Sequence, residues 1–323
     1  MNKLTVVMYH YVRNIKESRY PDIKGLELDC FIGFIEQLDF FIDNYHIVTM
    51  EEVISSYAGK TELLSNSLLL TFDDGYAEHF NHVYPILKER GVQGSFFVPA
   101  KAILEHQLLD VNKIHFILAS ISNIDDMLCD IRNDINYYKE EYNLHSFDEY
   151  FSELAIPNRF DTKEIIFVKR ILQHALPEKL RNLLSAKYFK KYLGIPEVVF
   201  AKELYMSQEQ LKQLVRDGMH VGCHGYDHYW WNKLDQESLK VELEKSKGFL
   251  KSLGCDMSKW TACYPYGSSS DLVVAELNSQ GCNLAFTTVV KLADIDYNSK
   301  LLIPRLDTND FPPKSDNYKC YRT

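Results

Sequence analysis

The sequence predicts an α/β fold: a distorted (β/α)7-type barrel of parallel strands with a helical insertion between strands 3 and 4. The first observation is a series of short apolar or β-branched runs, each followed by a helical pattern, which is typical of βα units and a parallel sheet. These runs are Leu4–His10, Ser67–Phe72, Gly94–Pro99, Met219–His224, Thr261–Tyr264, Asn283–Thr288 and Leu302–Leu306. The second observation is a long helical segment that interrupts this alternation after the third run.

Amphipathic patterns between the runs predict the helices of these βα units, because their apolar residues recur three and four positions apart. The predicted helices are Cys30–Asn44, Ala77–Arg90, Gln208–Asp217, Glu237–Leu253 and Asp271–Ser279. Ser207 and Gln210 form a capping-box pattern at the start of the third of these helices. Glycines stand where predicted helices end, at Gly91, Gly218, Gly254 and Gly281.

The interrupting segment predicts the domain organisation. It contains almost only helical patterns, for example Ile124–Tyr142, Thr162–Ala175 and Glu178–Leu193. We therefore expect a barrel formed by residues 1–100 and 206–310, a helical insertion at 101–205, and a Pro-rich polar tail at 311–323. Three roles for the insertion stay open: covering one mouth of the barrel, forming a contact for self-association, or acting as a lid over the substrate.

Composition excludes several classes of partner. The formal net charge of −9 and the sequence pI of about 5.7 argue against a nucleic-acid partner. The sequence has no apolar stretch long enough to predict a transmembrane segment, and the apolar run at the N-terminus is too short for a signal peptide. The 7 cysteines are odd in number and contain no CxxC pair, which does not suggest a disulfide framework. We therefore expect a cytoplasmic protein.

The first candidate site is Thr71-Phe72-Asp73-Asp74-Gly75, where an apolar strand pattern ends in two carboxylates. Adjacent side chains at a strand end point in different directions, so one acid can bind a metal while the other faces a water molecule. A turn with a helix cap would explain a lone Asp-Asp-Gly. Its place at the C-terminal end of a predicted barrel strand favours a functional site.

The second candidate site, His224-Gly225-Tyr226-Asp227-His228, follows another predicted strand. Two imidazoles four residues apart, with a glycine that lets the backbone turn, suit two ligands of one divalent metal. Asp74 would complete a three-ligand site that leaves positions open for water and substrate. An HxxxH pattern alone is more often a pair of surface histidines.

The third candidate site is Tyr264-Pro265-Tyr266-Gly267, which closes another predicted strand. Proline fixes one backbone angle and glycine frees another, so the turn could aim the main-chain N–H of Tyr266 at a developing oxyanion. Taken alone, the pattern is only a turn.

Together, and in this order, the three sites resemble the polysaccharide deacetylases of carbohydrate esterase family 4, the chitooligosaccharide deacetylase homology group. The resemblance covers most of the chain apart from the insertion. It implies that Asp73 is the general base, that Asp74, His224 and His228 are metal ligands, and that the backbone of Tyr266 stabilises the oxyanion. It also implies one divalent transition metal, with zinc as the first choice and cobalt, nickel or iron as alternatives.

The chain departs from the family pattern at two positions. Where the family often has an arginine that orients the base, this chain has Cys263, and Arg305 is a candidate substitute, although a structural ion pair is an equal explanation. The C-terminal Leu-x-His, whose histidine protonates the leaving amine in the family, is absent. Met8-Tyr9-His10 has the same form at the end of the first predicted strand, which neighbours the last strand in a closed barrel. This arrangement resembles the family's permuted branch, which includes poly-N-acetylglucosamine deacetylases, and it implies that His10 is the general acid.

The resemblance implies a metal-dependent hydrolase that removes acetyl from an N-acetylated sugar, such as a precursor of a cell-surface polysaccharide or glycolipid. A sugar O-acetyl esterase would use the same site without a strong acid. A catalytically inactive carbohydrate-binding barrel is a further alternative, because Cys263 replaces the arginine. A non-haem iron protein would use the three predicted metal ligands as a facial triad, but such oxygenases have double-stranded β sheets.

An aromatic cluster surrounds the second predicted histidine ligand and offers a face on which a sugar ring could stack. It consists of Tyr226, Tyr229, Trp230 and Trp231. Because these residues are nearly consecutive, some of them must point into the core. The resemblance implies that an N-acetylated carbohydrate is the partner of the chain.

Overall fold

The structure, a computed structural model, describes residues 3–20, 22–23, 26–27, 33–157, 161–295 and 300–321. The chain divides into two compact units. The first comprises 1–17, 24–106 and 202–323, and the second comprises 18–23 and 107–201.

The described strands all belong to the first unit. They are β1 (Lys3–Tyr9), β2 (Val12–Arg13), β3 (Leu26–Glu27), β4 (His46–Ile47), β5 (Ser67–Phe72), β6 (Ser95–Val98), β7 (His220–Cys223), β8 (Ala262–Cys263), β9 (Ala285–Phe286), β10 (Ala293–Asp294) and β11 (Leu306–Asp307). The main sheet has the order β10-β1-β5-β6-β7-β8-β9, with β11 also pairing with β1 and β4 with β5. Among these pairs, β10 with β1 is antiparallel and the others are parallel.

The sheet curls into a distorted barrel because the segment 303–307 bridges its two ends. Ile303 pairs with Phe286 of β9, and Leu306 pairs with Val7 of β1, both in parallel. Each of the seven apolar runs contains or overlaps one strand of this barrel. The predicted fold class is therefore confirmed, and the reason is physical: parallel strands covered on both faces read as continuous apolar runs, as in β5, which is buried at every position.

The described helices occur in both units, and the helix Glu197–Leu204 crosses the boundary between the units. They are α1 (Phe34–Asn44), α2 (Met50–Tyr57), α3 (Tyr84–Glu89), α4 (Ala100–Leu104), α5 (Asp110–Ser120), α6 (Ile124–Tyr142), α7 (Phe147–Leu154), α8 (Lys163–Arg170), α9 (Glu178–Leu193), α10 (Glu197–Leu204), α11 (Gln208–Arg216), α12 (Gln236–Ser252) and α13 (Asp271–Ser279). No helix among the described residues is both long enough and apolar enough to cross a membrane.

The predicted helices agree with this list except at some ends. Residues 30–32 of the predicted Cys30–Asn44 lie outside the described residues. Within the predicted Ala77–Arg90, a π-helical turn at His79–Val83 precedes α3. Helix α2 was not predicted, although its capping box of Thr49 and Glu52 is readable in the sequence.

The second unit is helical and has its own buried residues. Helices α5 and α9 bury apolar side chains such as Phe116 and Leu184. The second unit is shorter than the predicted insertion at 101–205, since α4 belongs to the first unit. The role of the insertion stays a prediction.

The C-terminal residues of the first unit pack on α1. Phe311 is fully buried and meets the ring of Phe41 edge-on at 5.0 Å, while Tyr318 stacks on Phe311 at 5.3 Å. Gln37 of α1 donates from Nε2 to the carbonyl oxygens of Thr308 (3.0 Å) and Pro312 (2.9 Å). The described part of the Pro-rich segment is thus anchored to the barrel.

Candidate active site

The predicted site residues lie together at the C-terminal ends of the barrel strands. Asp73 and Asp74 follow β5, His224 follows β7, and His10 follows β1. The main-chain N–H of Asp73 donates to the carbonyl of Tyr9 at 2.9 Å, so the ends of β1 and β5 are held side by side. This is the edge at which barrel enzymes of this class place their sites.

Three of these side chains form a tight triangle. The Oδ1 atom of Asp74 lies 3.4 Å from Nε2 of His224 and 3.5 Å from Nε2 of His228, and the two Nε2 atoms are 3.2 Å apart. All three residues are buried. Atoms about 2.1 Å from a shared tetrahedral metal ion would be about 3.4 Å from one another. The triangle therefore has the dimensions and the donor chemistry of a site for one divalent transition metal.

Hydrogen bonding and burial determine which nitrogens of His224 and His228 carry hydrogens. Nδ1 of His224 lies 2.9 Å from the carbonyl oxygen of Cys263. Because a carbonyl only accepts, Nδ1 carries a hydrogen, and Nε2 is the nitrogen that faces Asp74. Burial opposes protonation of His224, but neighbours that include Cys263 and Asp74 raise its pKa, so Nε2 would release a proton when a metal binds. Burial, and next the charge that a protonated His224 would bring, lower the pKa of His228 to about 3. His228 is therefore neutral near pH 7, as a metal ligand must be.

Tyr76, a residue that the sequence analysis missed, orients the carboxylate of the triangle. Its hydroxyl donates to Oδ2 of Asp74 at 2.7 Å, which leaves Oδ1 directed at the histidines. Tyr76 is buried, and its ring stacks on Tyr11 at 4.4 Å. A tyrosine two residues after a predicted metal ligand was a readable signal, because a buried hydroxyl needs a polar partner.

Arg305 and Asp73 form a buried two-pronged ion pair. Nη1 of Arg305 donates to Oδ1 of Asp73 at 2.9 Å, and Nη2 donates to Oδ2 at 2.7 Å. The guanidinium also donates to Oγ1 of Thr71 (3.1 Å) and, from Nε, to the carbonyl of Thr287 (2.9 Å). Burial opposes ionisation of Asp73, but Arg305 outweighs it and lowers the pKa of Asp73 to about 2.

Cys263 contacts both members of this ion pair. Its Sγ accepts from Nη2 of Arg305 at 2.9 Å and lies 3.4 Å from Oδ2 of Asp73. The small side chain at 263 leaves the space that the guanidinium fills. The structure thus brings Arg305 to the carboxylate that the missing arginine would orient.

His10 is placed beside the same carboxylate. Its Nε2 lies 4.0 Å from Oδ2 of Asp73, and its side chain is 42% exposed, so it can exchange protons with solvent. The main chain of His10 is held by His79, whose Nε2 donates to the His10 carbonyl at 2.6 Å. Burial lowers the pKa of His79 to about 4, so this histidine is neutral and structural.

The turn at Pro265–Gly267 brings Tyr266 next to the triangle. The ring of Tyr266 meets the ring of His228 edge-on at 4.7 Å and stacks on Trp230 at 4.6 Å. Asp74, His228 and Tyr266 all have positive φ, at 70°, 57° and 57°. Left-handed backbone is costly for residues other than glycine, and such residues cluster at functional sites.

The predicted aromatic cluster divides between surface and core. Trp231 is fully buried and packs on Tyr264, so it is a core residue. Trp230 is half-buried, and the hydroxyl of Tyr226 donates to Glu105 at 2.7 Å. Trp230 and Tyr266 are thus the members of the aromatic stack nearest the triangle.

The sequence matches known polysaccharide deacetylases. The family model for polysaccharide deacetylase matches residues 60–133 and 185–285, more than half of the chain. These ranges contain the triangle and Asp73, but neither His10 nor Arg305. The protein YxkH of Bacillus subtilis (strain 168), named as a polysaccharide deacetylase, is 28% identical over 101 residues, which are 31% of this chain and 33% of that protein. The match therefore spans about a third of that relative.

Solved structures of deacetylases share the fold over nearly the whole chain. Deacetylase PplD of Streptococcus pyogenes, in complex with acetate, has a TM-score of 0.59 at 16% identity, covering 99% of this chain and 98% of its own. A de-N-acetylase from Aggregatibacter actinomycetemcomitans has a TM-score of 0.57 at 16% identity, covering 98% and 100%. IcaB from Ammonifex degensii has a TM-score of 0.54 at 19% identity, covering 99% and 97%. At these identities the likeness concerns the fold.

We predict that Tyr76→Phe weakens binding of Zn²⁺ about tenfold or more, because the freed carboxylate of Asp74 loses its orienting donor. The measurement is competition with a chromophoric chelator. Tyr188→Phe is the matched control, since it removes a buried hydroxyl that donates to Asp134 at 2.6 Å within the second unit. Equal affinities in the two variants would contradict the orienting role of Tyr76.

Proposed function

Because the chain belongs to the polysaccharide deacetylase family, we propose that it is a metal-dependent hydrolase that removes acetyl from an N-acetylated sugar. The observation that carries this proposal is the buried triangle of Asp74, His224 and His228 beside the Asp73–Arg305 ion pair. The substrate that we propose is a precursor of a cell-surface polysaccharide or glycolipid. Two structural neighbours, a deacetylase in complex with acetate and a de-N-acetylase, support the reaction type.

Asp74, His224 and His228 would hold the metal. When bound, a divalent ion supplies a Lewis acid that acidifies water and polarises the acetyl carbonyl. We propose zinc first, with cobalt, nickel or iron as alternatives, because an imidazole-rich set with one carboxylate suits all four.

Asp73 is the proposed general base. It is ionised at neutral pH, since Arg305 holds its pKa at about 2, and it can therefore accept a proton from the attacking water. The two hydrogen bonds from Arg305 fix the plane of the carboxylate, at the cost of some basicity. Arg305 is thus proposed to orient the base from the last strand segment of the barrel.

His10 is the proposed general acid. An amine anion is a poor leaving group, so the sugar nitrogen must receive a proton as the C–N bond breaks. The side chain of His10 is 42% exposed, and its Nε2 lies 4.0 Å from Oδ2 of Asp73. The main-chain N–H of Tyr266, in its left-handed turn, is the proposed donor to the oxyanion.

Three alternative functions are weighed against the structure: an inactive carbohydrate-binding barrel, a non-haem iron protein and a sugar O-acetyl esterase. An inactive carbohydrate-binding barrel was suggested by Cys263, but Arg305 supplies a guanidinium at the same carboxylate. The (β/α) barrel argues against the non-haem iron alternative, whose members use double-stranded sheets. A sugar O-acetyl esterase would need the base and metal but not His10, so the leaving group distinguishes it from the N-deacetylase.

We also propose that the chain works in the cytoplasm, which the absence of CxxC pairs among its 7 cysteines supports. A biosynthetic precursor would be the natural substrate there. Self-association through the helical insertion is a further proposal, for which size measurement in solution is the direct test.

We predict that Asp73→Asn abolishes deacetylation and also destabilises the protein by about 3–5 kcal/mol, because Arg305 is left buried without its counter-charge. Activity and urea unfolding are measured on the same preparation. The double variant Asp73→Asn with Arg305→Met removes the stranded charge, so it should regain part of the stability and none of the activity. Full activity in the single variant would remove Asp73 from its role as base.

We predict that His10→Ala leaves metal binding intact and slows N-deacetylation by about 10²–10⁴-fold, the usual contribution of a positioned general acid. Hydrolysis of an activated acetyl ester should suffer far less, because its leaving group departs without a proton. His46→Ala is the control, as it removes an exposed histidine at the opposite end of the strands, paired with Ser67. Equal losses on amide and ester would indicate a structural role for His10.

A further inference from the structure

We propose that Glu242 is a positioning residue for the metal ligand His228, because it holds the main chain of the loop that joins the two histidines. This proposal rests on the metal site of the proposed function. Glu242 lies on α12, and only 4% of it is exposed. Its carboxylate bonds to the main chain of the loop. Among the described hydrogen bonds, none joins Glu242 to a side chain of the triangle, so Glu242 acts on His228 through the loop.

The carboxylate of Glu242 accepts two consecutive main-chain N–H groups. Its Oε1 lies 2.7 Å from the nitrogen of Tyr226 and 2.9 Å from the nitrogen of Asp227. The preceding N–H, that of Gly225, donates to Sγ of Cys223 at 3.3 Å. The donors of the loop between the histidines are therefore all satisfied by side chains, two of them by Glu242.

The opposite side of the loop is fixed by the start of α4. The carbonyls of Gly225 and Tyr226 accept from the nitrogens of Ala100 (3.0 Å) and Lys101 (2.9 Å). Lys101 also forms an ion pair with Asp227. With its carbonyls held by α4, the loop depends on Glu242 for the orientation of its N–H groups.

Gly225 shows how closely the carboxylate approaches the loop. A Cβ at this position would lie 2.9 Å from Oε1 of Glu242 and 3.4 Å from the nitrogen of His228. Gly225 also has a positive φ of 80°. The loop must therefore be left-handed and without a side chain at Gly225, because the carboxylate of Glu242 occupies the space that a Cβ would need.

The consequence concerns the second imidazole. His228 itself has a positive φ of 57°, a strained conformation that persists only where the surroundings hold it. Without the two hydrogen bonds, the loop could relax and move Nε2 of His228 away from its position 3.2 Å from Nε2 of His224. The expected result is a weaker metal site in a protein that is still folded.

The test compares Glu242→Gln with Glu242→Asp in the full chain. Glutamine keeps an oxygen at the same distance and should bind Zn²⁺ nearly as the wild type does. Aspartate keeps the charge but is one methylene too short to reach both N–H groups, so its affinity for Zn²⁺ should fall about 10–100-fold, as for other partners that orient ligands. Affinity is measured by chelator competition, and the melting temperature of the metal-free protein records folding.

Leu250→Ala on the same helix is the matched control, because it destabilises α12 at a fully buried position without touching the loop. It should lower the melting temperature and leave the Zn²⁺ affinity unchanged. Wild-type affinity in Glu242→Asp, or the same loss in Leu250→Ala, would overturn the positioning role alone. A wild-type chain that binds no Zn²⁺ or Co²⁺ would overturn both this role and the proposed metal site.

Discussion

A buried ion pair between Asp73 and Arg305 organises the candidate site. It joins the end of β5 to the segment that closes the barrel between β9 and β1, so one interaction serves both the fold and the chemistry. Such a pair contributes little more to stability than apolar packing would, but removing one partner leaves the other charge buried without a counter-charge. Cys263 and Thr71 complete the surroundings of the guanidinium, which explains why a small residue stands at the end of β8.

The two adjacent carboxylates, Asp73 and Asp74, have different hydrogen-bond partners. Arg305 donates to both oxygens of Asp73, while Oδ1 of Asp74, a residue with a positive φ, faces the two histidines. Tyr76 then selects which oxygen of Asp74 faces them. These different partners support the proposed division, in which one acid binds a metal and the other faces water.

The sequence predicted the barrel well because its strands are buried on both faces and read as continuous apolar runs. It also predicted which side chains would meet, because the C-terminal ends of parallel strands share one edge. Two residues were missed: Tyr76, although its place two residues after Asp74 was a readable signal, and Glu242, which no sequence pattern marks. Glu242 supports a ligand through a tertiary contact, and in the sequence it is indistinguishable from an exposed residue of an amphipathic helix. Trp231 shows the converse case, since only packing decides that it belongs to the core while Trp230 remains near the site.

We propose that this chain removes acetyl from the nitrogen of a sugar only when a metal occupies the triangle. The most direct measurement is mass spectrometry of N-acetylated oligosaccharides and of their lipid- and nucleotide-linked precursors, incubated with metal-free protein and with the same protein reloaded with Zn²⁺ or Co²⁺. We expect that at least one of these substrates loses an acetyl group and releases an equal amount of acetate, and that this happens only with the reloaded protein. Equal acetyl loss without metal, or none from any substrate with the metal bound, would contradict this proposal.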